Sequence, residues 1–252
     1  MKALIDVNGL QARKHKENYK RLKTFLEILC NLSIEYEFSG DRGITRKDLK
    51  NFDLLISTTR CKKKYSKTEI KRIYNFVQRG GGLLLMSNHG DRPNKNLPDT
   101  RKFDKELASR FKVEVENTVF KNPLPRVKTT LTSKVFNNSH PIIKGFDNNP
   151  VYSIVINNCS SIKKNIGTPI VSLSDEMEDN RNKFSHKDRF FAISLDEKSE
   201  LDTKIKGRVV ITADSGFIGT RCTDRPGPGL INEGNNSIFI KNILLWLLKR
   251  TE

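Results

Sequence analysis

The stretch from Ser66 to Gly90 constrains the fold most, because a capped amphipathic helix leads directly into a short apolar segment. Ser66 and Glu69 have the spacing of a helix capping box. The three glycines at 80–82 end the helix and permit a tight reversal. The apolar run from Leu83 to Met86 is too short for a helix, and it is typical of a strand buried on both faces of a parallel sheet.

Several other runs repeat this alternation of strand and helix. Lys2–Asp6, Phe52–Ser57 and Gly207–Ala213 read as further buried strands, and Ile34–Phe38 alternates like an edge strand. Helical periodicity covers about Lys14 to Cys30 and Asn236 to Lys249. The order predicts an α/β fold in which the buried strands are parallel neighbours joined by right-handed crossovers.

The segment from about 121 to 190 has a weaker pattern. Val127–Leu131, Val151–Val155 and Pro169–Leu173 predict short strands, and Asp175–Lys187 predicts a polar, mobile loop. Arg189–Leu195 follows as a strong strand candidate. We therefore expect one domain over residues 1–252, with additional strands between 121 and 200 and an irregular, insertion-like region at about 121–190.

Composition excludes some classes of protein. Hydrophobic residues make up 36% of the chain, and no apolar run approaches the roughly 20 residues of a membrane-spanning helix. The sequence therefore predicts a cytoplasmic protein without a membrane span. Four cysteines are far apart in the chain and lack CxxC spacing, so we expect reduced thiols, no metal and no cofactor.

The formal net charge of +17 permits a polyanionic partner. The densest basic run is Arg60 to Lys64. Lys62, Lys63 and Lys64 could form part of a surface that faces nucleic acid or another polyanion, next to a site mouth at Arg60. The alternative is an ordinary solvated surface, since the other basic residues are spread along the chain.

Polar residues follow the predicted strands, and the carboxyl ends of parallel strands share one edge of a sheet, where ligands bind in this fold class. His89 with Asp6 or Asp214 could form a general base and its orienting group. The alternative for His89 and Asp214 is hydrogen bonding to the local backbone. His140, which precedes Pro141, reads as a structural turn residue. The candidate ligand-binding residues are Asp6, Asn8, Thr59, Arg60, Asn88, His89, Asp91, Asp214 and Ser215.

The order of these motifs resembles a known family. The run YSKTEIKRIYNFVQRGGGLLLMSNHG, the segment SHPIIKGF at 139–146, the run GRVVITADSGFIG and NNSIFIKNILLW near the carboxyl terminus are similar to amidotransferase-like domains related to class I glutamine amidotransferases. Such domains occur in auxiliary proteins of gliding-motility-type ABC transporters and in an intraflagellar transport subunit. The resemblance implies a flavodoxin-like, three-layer α/β/α domain.

The resemblance also implies where a catalytic cysteine would lie, on the turn after Leu83–Met86. That turn reads Ser87-Asn88-His89-Gly90 and contains no cysteine. A thiolate nucleophile with its base is therefore missing, and glutamine hydrolysis is not expected. We expect a non-catalytic module that binds a small molecule or a protein. The alternatives are a nucleic-acid-associated protein and a hydrolase that uses His89 with Asp6 or Asp214.

Overall fold

The computed structural model describes residues 1–9, 21–60, 63–91, 99–124, 128–163, 165–180, 184–201, 203–220 and 229–249. The strands are β1 (Lys2–Ile5), β2 (Glu35–Phe38), β3 (Leu54–Ser57), β4 (Gly82–Met86), β5 (Glu114–Lys121), β6 (Thr129–Thr132), β7 (Ser153–Ile156), β8 (Asn158–Lys163), β9 (Thr168–Ser172), β10 (Glu178–Asp179), β11 (Arg189–Leu195) and β12 (Val209–Thr212). The α-helices are α1 (Lys23–Asn31), α2 (Arg46–Lys50), α3 (Lys67–Gln78), α4 (Lys105–Arg110), α5 (Pro141–Lys144) and α6 (Asn236–Leu247).

The centre of the main sheet is parallel. Its strands lie in the order β12-β4-β3-β1-β2, and each adjacent pair runs in the same direction. Every residue of β3, β4 and β12 is buried, as the continuous apolar runs predict. The predicted α/β class and the four parallel neighbours β1, β3, β4 and β12 are confirmed, and β2 lies at the edge.

The other half of the main sheet is antiparallel. It continues from β12 in the order β11-β8-β5-β10, with β9 also paired to β11. Strands β6 and β7 form a separate antiparallel pair. The segment from 121 to 190 is thus more regular than its sequence suggests, because its short strands gain their hydrogen bonds from distant parts of the chain. Within the predicted loop Asp175–Lys187, β10 pairs with Phe120 and Lys121.

Helix α3 forms as its sequence predicts. The Ser66 hydroxyl accepts a hydrogen bond from the Glu69 amide, and the Glu69 carboxylate accepts one from the Ser66 amide. Gly80 has a φ of +112°, a conformation that favours glycine. A Cβ at Gly207 would lie 2.0 Å from the Gly81 carbonyl oxygen. Because Gly207 has no side chain, the turn before β12 can approach the turn before β4 closely.

Helix α6 is buried on most of its sides, where it packs against strands of the sheets and against α1 and α5. Nine of its residues are buried, among them the polar Asn236 and Asn242. The Asn236 amide group bonds both the amide and the carbonyl of Val155, at 2.9 and 2.8 Å, and so fixes β7 to the helix. Helix α1 begins at Lys23, and residues 14–20 of the predicted first helix lie outside the described residues.

His140 is structural, which confirms the prediction made from its position before Pro141. Its Nδ1 accepts a hydrogen bond from the Ile142 amide at 3.1 Å, so it caps α5. Its Nε2 lies 2.8 Å from the Ser194 hydroxyl. Burial lowers the pKa of His140 to about 4, which keeps the ring neutral at physiological pH.

Among the described residues, no helix is both long and apolar enough to cross a bilayer. Of the four cysteines, Cys30 is exposed and Cys159 is buried as a free thiol, whereas Cys61 and Cys222 lie outside the described residues.

We predict that Leu84→Asp severely destabilises the fold. Leu84 is fully buried in β4 between β3 and β12, and the substitution would bury a carboxylate without a partner. The expected loss is about 4 kcal/mol or more in the free energy of unfolding, measured by urea titration. Leu124→Asp is the matched control, because Leu124 is 61% exposed. Equal stability of the two variants would contradict the buried position of β4.

Candidate functional site

The carboxyl ends of four parallel strands lie side by side. The registers place Ile5 beside Ile56, Ser57 beside Leu85, and Met86 beside Thr212. The residues that follow β1, β3, β4 and β12 therefore share one edge of the sheet, as the sequence predicts. Adjacent strands are about 4.8 Å apart, so Asp6 and the turn after β4 are separated by two strand spacings.

Arg60 lies at the centre of this edge and is completely buried. Its Nε donates to Asp6 Oδ2 at 2.7 Å, and its Nη2 donates to Glu69 Oε1 at 2.9 Å. The guanidinium carbon lies 3.5 Å from the centroid of the Tyr65 ring. We call Asp6, Arg60, Tyr65, Glu69 and Asp104 the Arg60 cluster.

Both oxygens of Asp6 are occupied. Oδ2 accepts hydrogen bonds from Arg60 and from the Tyr65 hydroxyl, the latter at 3.1 Å. Oδ1 accepts from the amide of Asn8 at 3.1 Å and from the Ser39 hydroxyl at 3.5 Å. Asp6 is fully buried. Its carboxylate therefore connects β1, the loop after β2 and the loop after β3, and it is not presented to solvent.

Glu69 joins the helix cap to the Arg60 cluster. Besides capping α3, its Oε1 accepts a hydrogen bond from the Ile44 amide at 3.1 Å. Burial alone would raise the pKa of Glu69, but the hydrogen bonds from Arg60 and the Ser66 amide outweigh burial and lower that pKa to about 2. Glu69 is therefore ionised at neutral pH and balances part of the Arg60 charge.

Asp104 is the one member of the cluster with an unsatisfied atom. Its Oδ1 accepts a hydrogen bond from the Arg60 amide at 3.3 Å, whereas its buried Oδ2 has no hydrogen-bond partner. Burial raises the pKa of Asp104 well above its usual range, against the opposing effect of Arg60, and the charge of Asp6 adds to the increase. A protonated Asp104 leaves Arg60 facing two ionised carboxylates rather than three.

A second polar group lies between the ends of β3, β4 and β12. The Thr59 hydroxyl lies 2.6 Å from the Ser87 carbonyl oxygen and 3.2 Å from the Ser215 hydroxyl. The Asn88 amide nitrogen is 3.5 Å from the Ser215 hydroxyl. Ser87, on the turn where the family resemblance would place a cysteine, is fully buried, and its hydroxyl has no hydrogen-bond partner. The structure thus brings Thr59, Asn88 and Ser215 together, as predicted.

His89 and Asp91 lie on the turn after β4, where local backbone contacts hold them. His89 Nδ1 is 2.6 Å from the Gly90 carbonyl oxygen, and the His89 carbonyl accepts a hydrogen bond from Thr100 at 2.9 Å. The Asp91 amide donates to the Asn117 side chain at 3.1 Å. Asn8, His89 and Asp91 are half-buried. A backbone partner for the His89 ring matches the structural alternative considered from the sequence.

Asp214 follows β12 beside the turn after β4. The residue is 4% exposed, and its carbonyl accepts a hydrogen bond from the Thr212 hydroxyl at 2.8 Å. The topology therefore places His89 and Asp214 at the ends of adjacent strands, with Asp6 two strands away from the turn that carries His89. A shared catalytic role for these three residues stays a prediction.

The structure corrects two sequence interpretations. Asp6 and Arg60 do not line an open rim, because both side chains are fully buried and bonded to each other. Arg60 is therefore also not the link between a site mouth and the basic run that follows it. Lys63 and Lys64 are exposed, Lys64 lies 3.7 Å from Glu106, and Lys62 is outside the described residues.

Sequence reasoning missed Tyr65, Glu69 and Asp104 as parts of this site. Glu69 has the clear sequence pattern of a helix-capping residue, but that pattern does not indicate that its carboxylate also contacts Arg60. Asp104 precedes α4, where an acidic residue is ordinary, and nothing in the local pattern indicates burial. Within the described ranges, no cluster of three or more histidine, cysteine, aspartate or glutamate residues has a geometry that suits a metal ion.

Comparisons with known proteins show the fold. No family model and no curated protein matches the sequence. The mmIFT52 N-terminal domain is similar in structure, with a TM-score of 0.68 at 14% identity over 98% of this chain and 97% of that chain. A cytoplasmic protein from Salmonella typhimurium has a TM-score of 0.57 at 13% identity, over 98% of this chain and 99% of that one.

A ThuA-like protein from Bacteroides uniformis is similar as well, with a TM-score of 0.52 at 15% identity over 100% of this chain and 93% of that chain. At these identities the similarity is one of fold alone. The class that fold and site define is a flavodoxin-like α/β protein, of the kind found in ThuA-like proteins, with a buried arginine cluster at the carboxyl edge of its parallel strands.

We predict that Asp104→Asn removes a pH-dependent loss of stability. The pKa of Asp104 in the folded protein is raised above the unfolded value of 3.8, so the folded state holds a proton that the unfolded state releases. The wild-type protein must therefore lose stability relative to the variant as the pH rises above 3.8, by about 1.4 kcal/mol for each pH unit between the unfolded and the folded pKa. Above the folded pKa, the difference in stability between the two proteins becomes constant.

Urea unfolding at pH 5, 6 and 7 measures this difference. Asp147→Asn is the control, because it makes the same chemical change at a side chain that is 67% exposed. A wild-type protein that gains stability relative to Asp104→Asn as the pH rises would show that Asp104 is ionised in the folded state.

Proposed function

We propose that this chain is a non-catalytic protein-interaction module built on an amidotransferase-like fold. One observation carries the proposal: Asp6, one of the two acidic groups that could orient a base at the carboxyl edge, is fully buried and bonded to Arg60. Ser87, on the turn where the nucleophile is expected, is also fully buried. Asp6 therefore holds loops in place, and neither side chain is presented to a substrate.

The same observations disfavour the hydrolase alternative. A general base needs an orienting group with a free acceptor, and both Asp6 oxygens already accept hydrogen bonds. His89 Nδ1 faces the Gly90 carbonyl, which is a common arrangement for a loop histidine. The hydrolase alternative is thereby reduced to His89 with Asp214, the candidate orienting group at the end of the adjacent strand.

Binding to a polyanion is a weaker candidate for the same surface. It depends on Lys62, Lys63 and Lys64 acting with Arg60, but Arg60 points into the protein. Lys64 is also within reach of Glu106. The net charge of +17 still favours general attraction to polyanions, so an oligonucleotide is a necessary competitor in any binding experiment.

We predict that the purified protein releases no ammonia from glutamine and hydrolyses no p-nitrophenyl ester above the buffer rate. Ser87→Ala and His89→Ala should give the same result, because neither side chain performs chemistry. Ser109→Ala, at an exposed serine on α4, is the control. Turnover by the wild type that disappears in Ser87→Ala or His89→Ala, but not in Ser109→Ala, would contradict the proposal.

A further inference from the structure

A cavity of about 910 Å³ lies at the amino edge of the parallel strands, opposite the edge that carries the Arg60 cluster. Its size is within the range of known binding pockets. We call it the amino-edge cavity. Its lining residues are Met1, Leu49, Lys50, Phe52, Asp53, Phe76, Arg79, Gly80, Gly81, Leu247, Leu248 and Lys249.

The topology explains why the cavity forms at this edge. In a parallel α/β unit the connecting helix runs back along the sheet, so helix carboxyl ends meet the starts of strands. Here the ends of α2, α3 and α6 surround the residues that precede β3 and β4. The cavity is therefore a depression between three helix ends and not part of the carboxyl edge.

The floor of the amino-edge cavity is apolar. Phe76 and Leu247 are nearly buried, and Phe52 and Leu248 are partly buried against the core. Gly80 lies at the open mouth of the cavity, because a Cβ at this position would meet no atom within 4 Å. A Cβ at Gly81 would collide with the Phe76 ring at 2.2 Å, so no side chain can cover this part of the floor.

Positive charges surround this floor. Lys50 is the last residue of α2, Arg79 caps the end of α3, and Lys249 follows α6. Each positive charge interacts favourably with the negative, carboxyl-terminal end of the dipole of its own helix, which explains a basic residue at each position. Within the described part of the chain, Lys50 and Arg79 have no ion-pair partner. The one acidic lining residue, Asp53, accepts a hydrogen bond from the Lys2 amide at 2.9 Å.

We propose that the amino-edge cavity binds an acidic peptide segment of a partner protein, with an apolar anchor side chain on the floor and flanking carboxylates at Lys50, Arg79 and Lys249. This inference rests on the proposed function as an interaction module and names its surface and its partner. The partner chemistry follows from charge complementarity: three cations surround an apolar centre. Lys50 and Arg79 have no ion-pair partner among the described residues, and Lys249 Nζ donates to the Lys206 carbonyl.

The arrangement of the charges favours a peptide over other ligands. The three cations come from three separate helix ends, so they match several spaced anions around one apolar group. A fatty acid carries one anionic head, and a nucleic acid carries many phosphates but no apolar anchor. A peptide with acidic residues on both sides of a leucine or phenylalanine provides both features.

The test uses the whole protein and a fluorescein-labelled peptide of sequence Glu-Asp-Leu-Phe-Asp-Glu, with binding followed by fluorescence anisotropy at low salt. A second peptide replaces the leucine and phenylalanine with alanine and keeps the charges. Unlabelled dodecanoate and a single-stranded DNA oligonucleotide serve as competitors. We expect the first peptide to bind, the second to bind much more weakly, and neither competitor to displace the first at equal concentration.

The key variant is Lys50→Glu/Arg79→Glu. It should weaken binding by about tenfold, because two ion pairs become repulsions at an exposed surface. The control is Lys67→Glu/Lys71→Glu, which makes the same change in net charge at exposed positions in the first half of α3. The neutral variant Lys50→Gln/Arg79→Gln should weaken binding by a smaller factor. The thermal midpoint of each variant verifies folding.

Four results would overturn the proposal. Equal weakening by the two charge-reversed variants would mean general attraction to a basic protein. Equal binding of the alanine peptide would mean that the cavity floor is not used, and displacement by dodecanoate or DNA would identify a different occupant. If neither peptide binds, this inference is overturned. The prediction that the protein has no catalytic activity would still stand, since the ammonia and ester assays test it separately.

Discussion

The buried guanidinium of Arg60 is the interaction on which the carboxyl edge of the sheet depends. It joins Asp6 after β1 to Glu69 on α3 while stacking on Tyr65, so one side chain holds the loops after β1 and β3 against the start of α3. Burial alone would lower the pKa of Arg60, but the surrounding Tyr65, Asp6 and Glu69 outweigh burial and raise it. The charge is thus permanent, and the loops can separate only by leaving a buried charge unpaired, which costs several kcal/mol.

The two edges of the parallel sheet differ in the roles of their charged residues. At the carboxyl edge, where ligands bind in most α/β proteins, the charged groups nearest the first strand are internal and maintain structure. The side chains of Thr59 and Asn88 contact Ser215 and the backbone of the turn after β4. At the amino edge, an open apolar floor is surrounded by cations, and two of them, Lys50 and Arg79, have no ion-pair partner among the residues that the structure describes. The proposal therefore places interaction at the amino edge and no catalysis at the carboxyl edge.

Sequence patterns predicted the parallel centre of the fold because its strands are continuous apolar runs next to well-capped helices. The three glycines at 80–82 and the helix cap at Ser66 predicted the position of β4 closely. The polar residues that follow the strands predicted the edge that the strand ends share. Patterns did not predict that Asp6 and Arg60 contact each other, since 54 residues separate them and each is an ordinary polar residue after a strand. The regular strands between 121 and 190 were also underestimated, because antiparallel pairing with distant strands leaves little periodicity in such short segments.

The central claim is that the Asp6–Arg60 pair at the carboxyl edge is structural, and a double-mutant cycle tests it most directly. The free energies of unfolding of the wild type, Asp6→Asn, Arg60→Met and the double variant would be measured in urea at pH 7. A structural pair predicts that Arg60→Met alone loses about 3–5 kcal/mol and that the double variant loses clearly less than the sum of the single variants. Single variants within about 0.5 kcal/mol of the wild type, with additive effects, would contradict the claim.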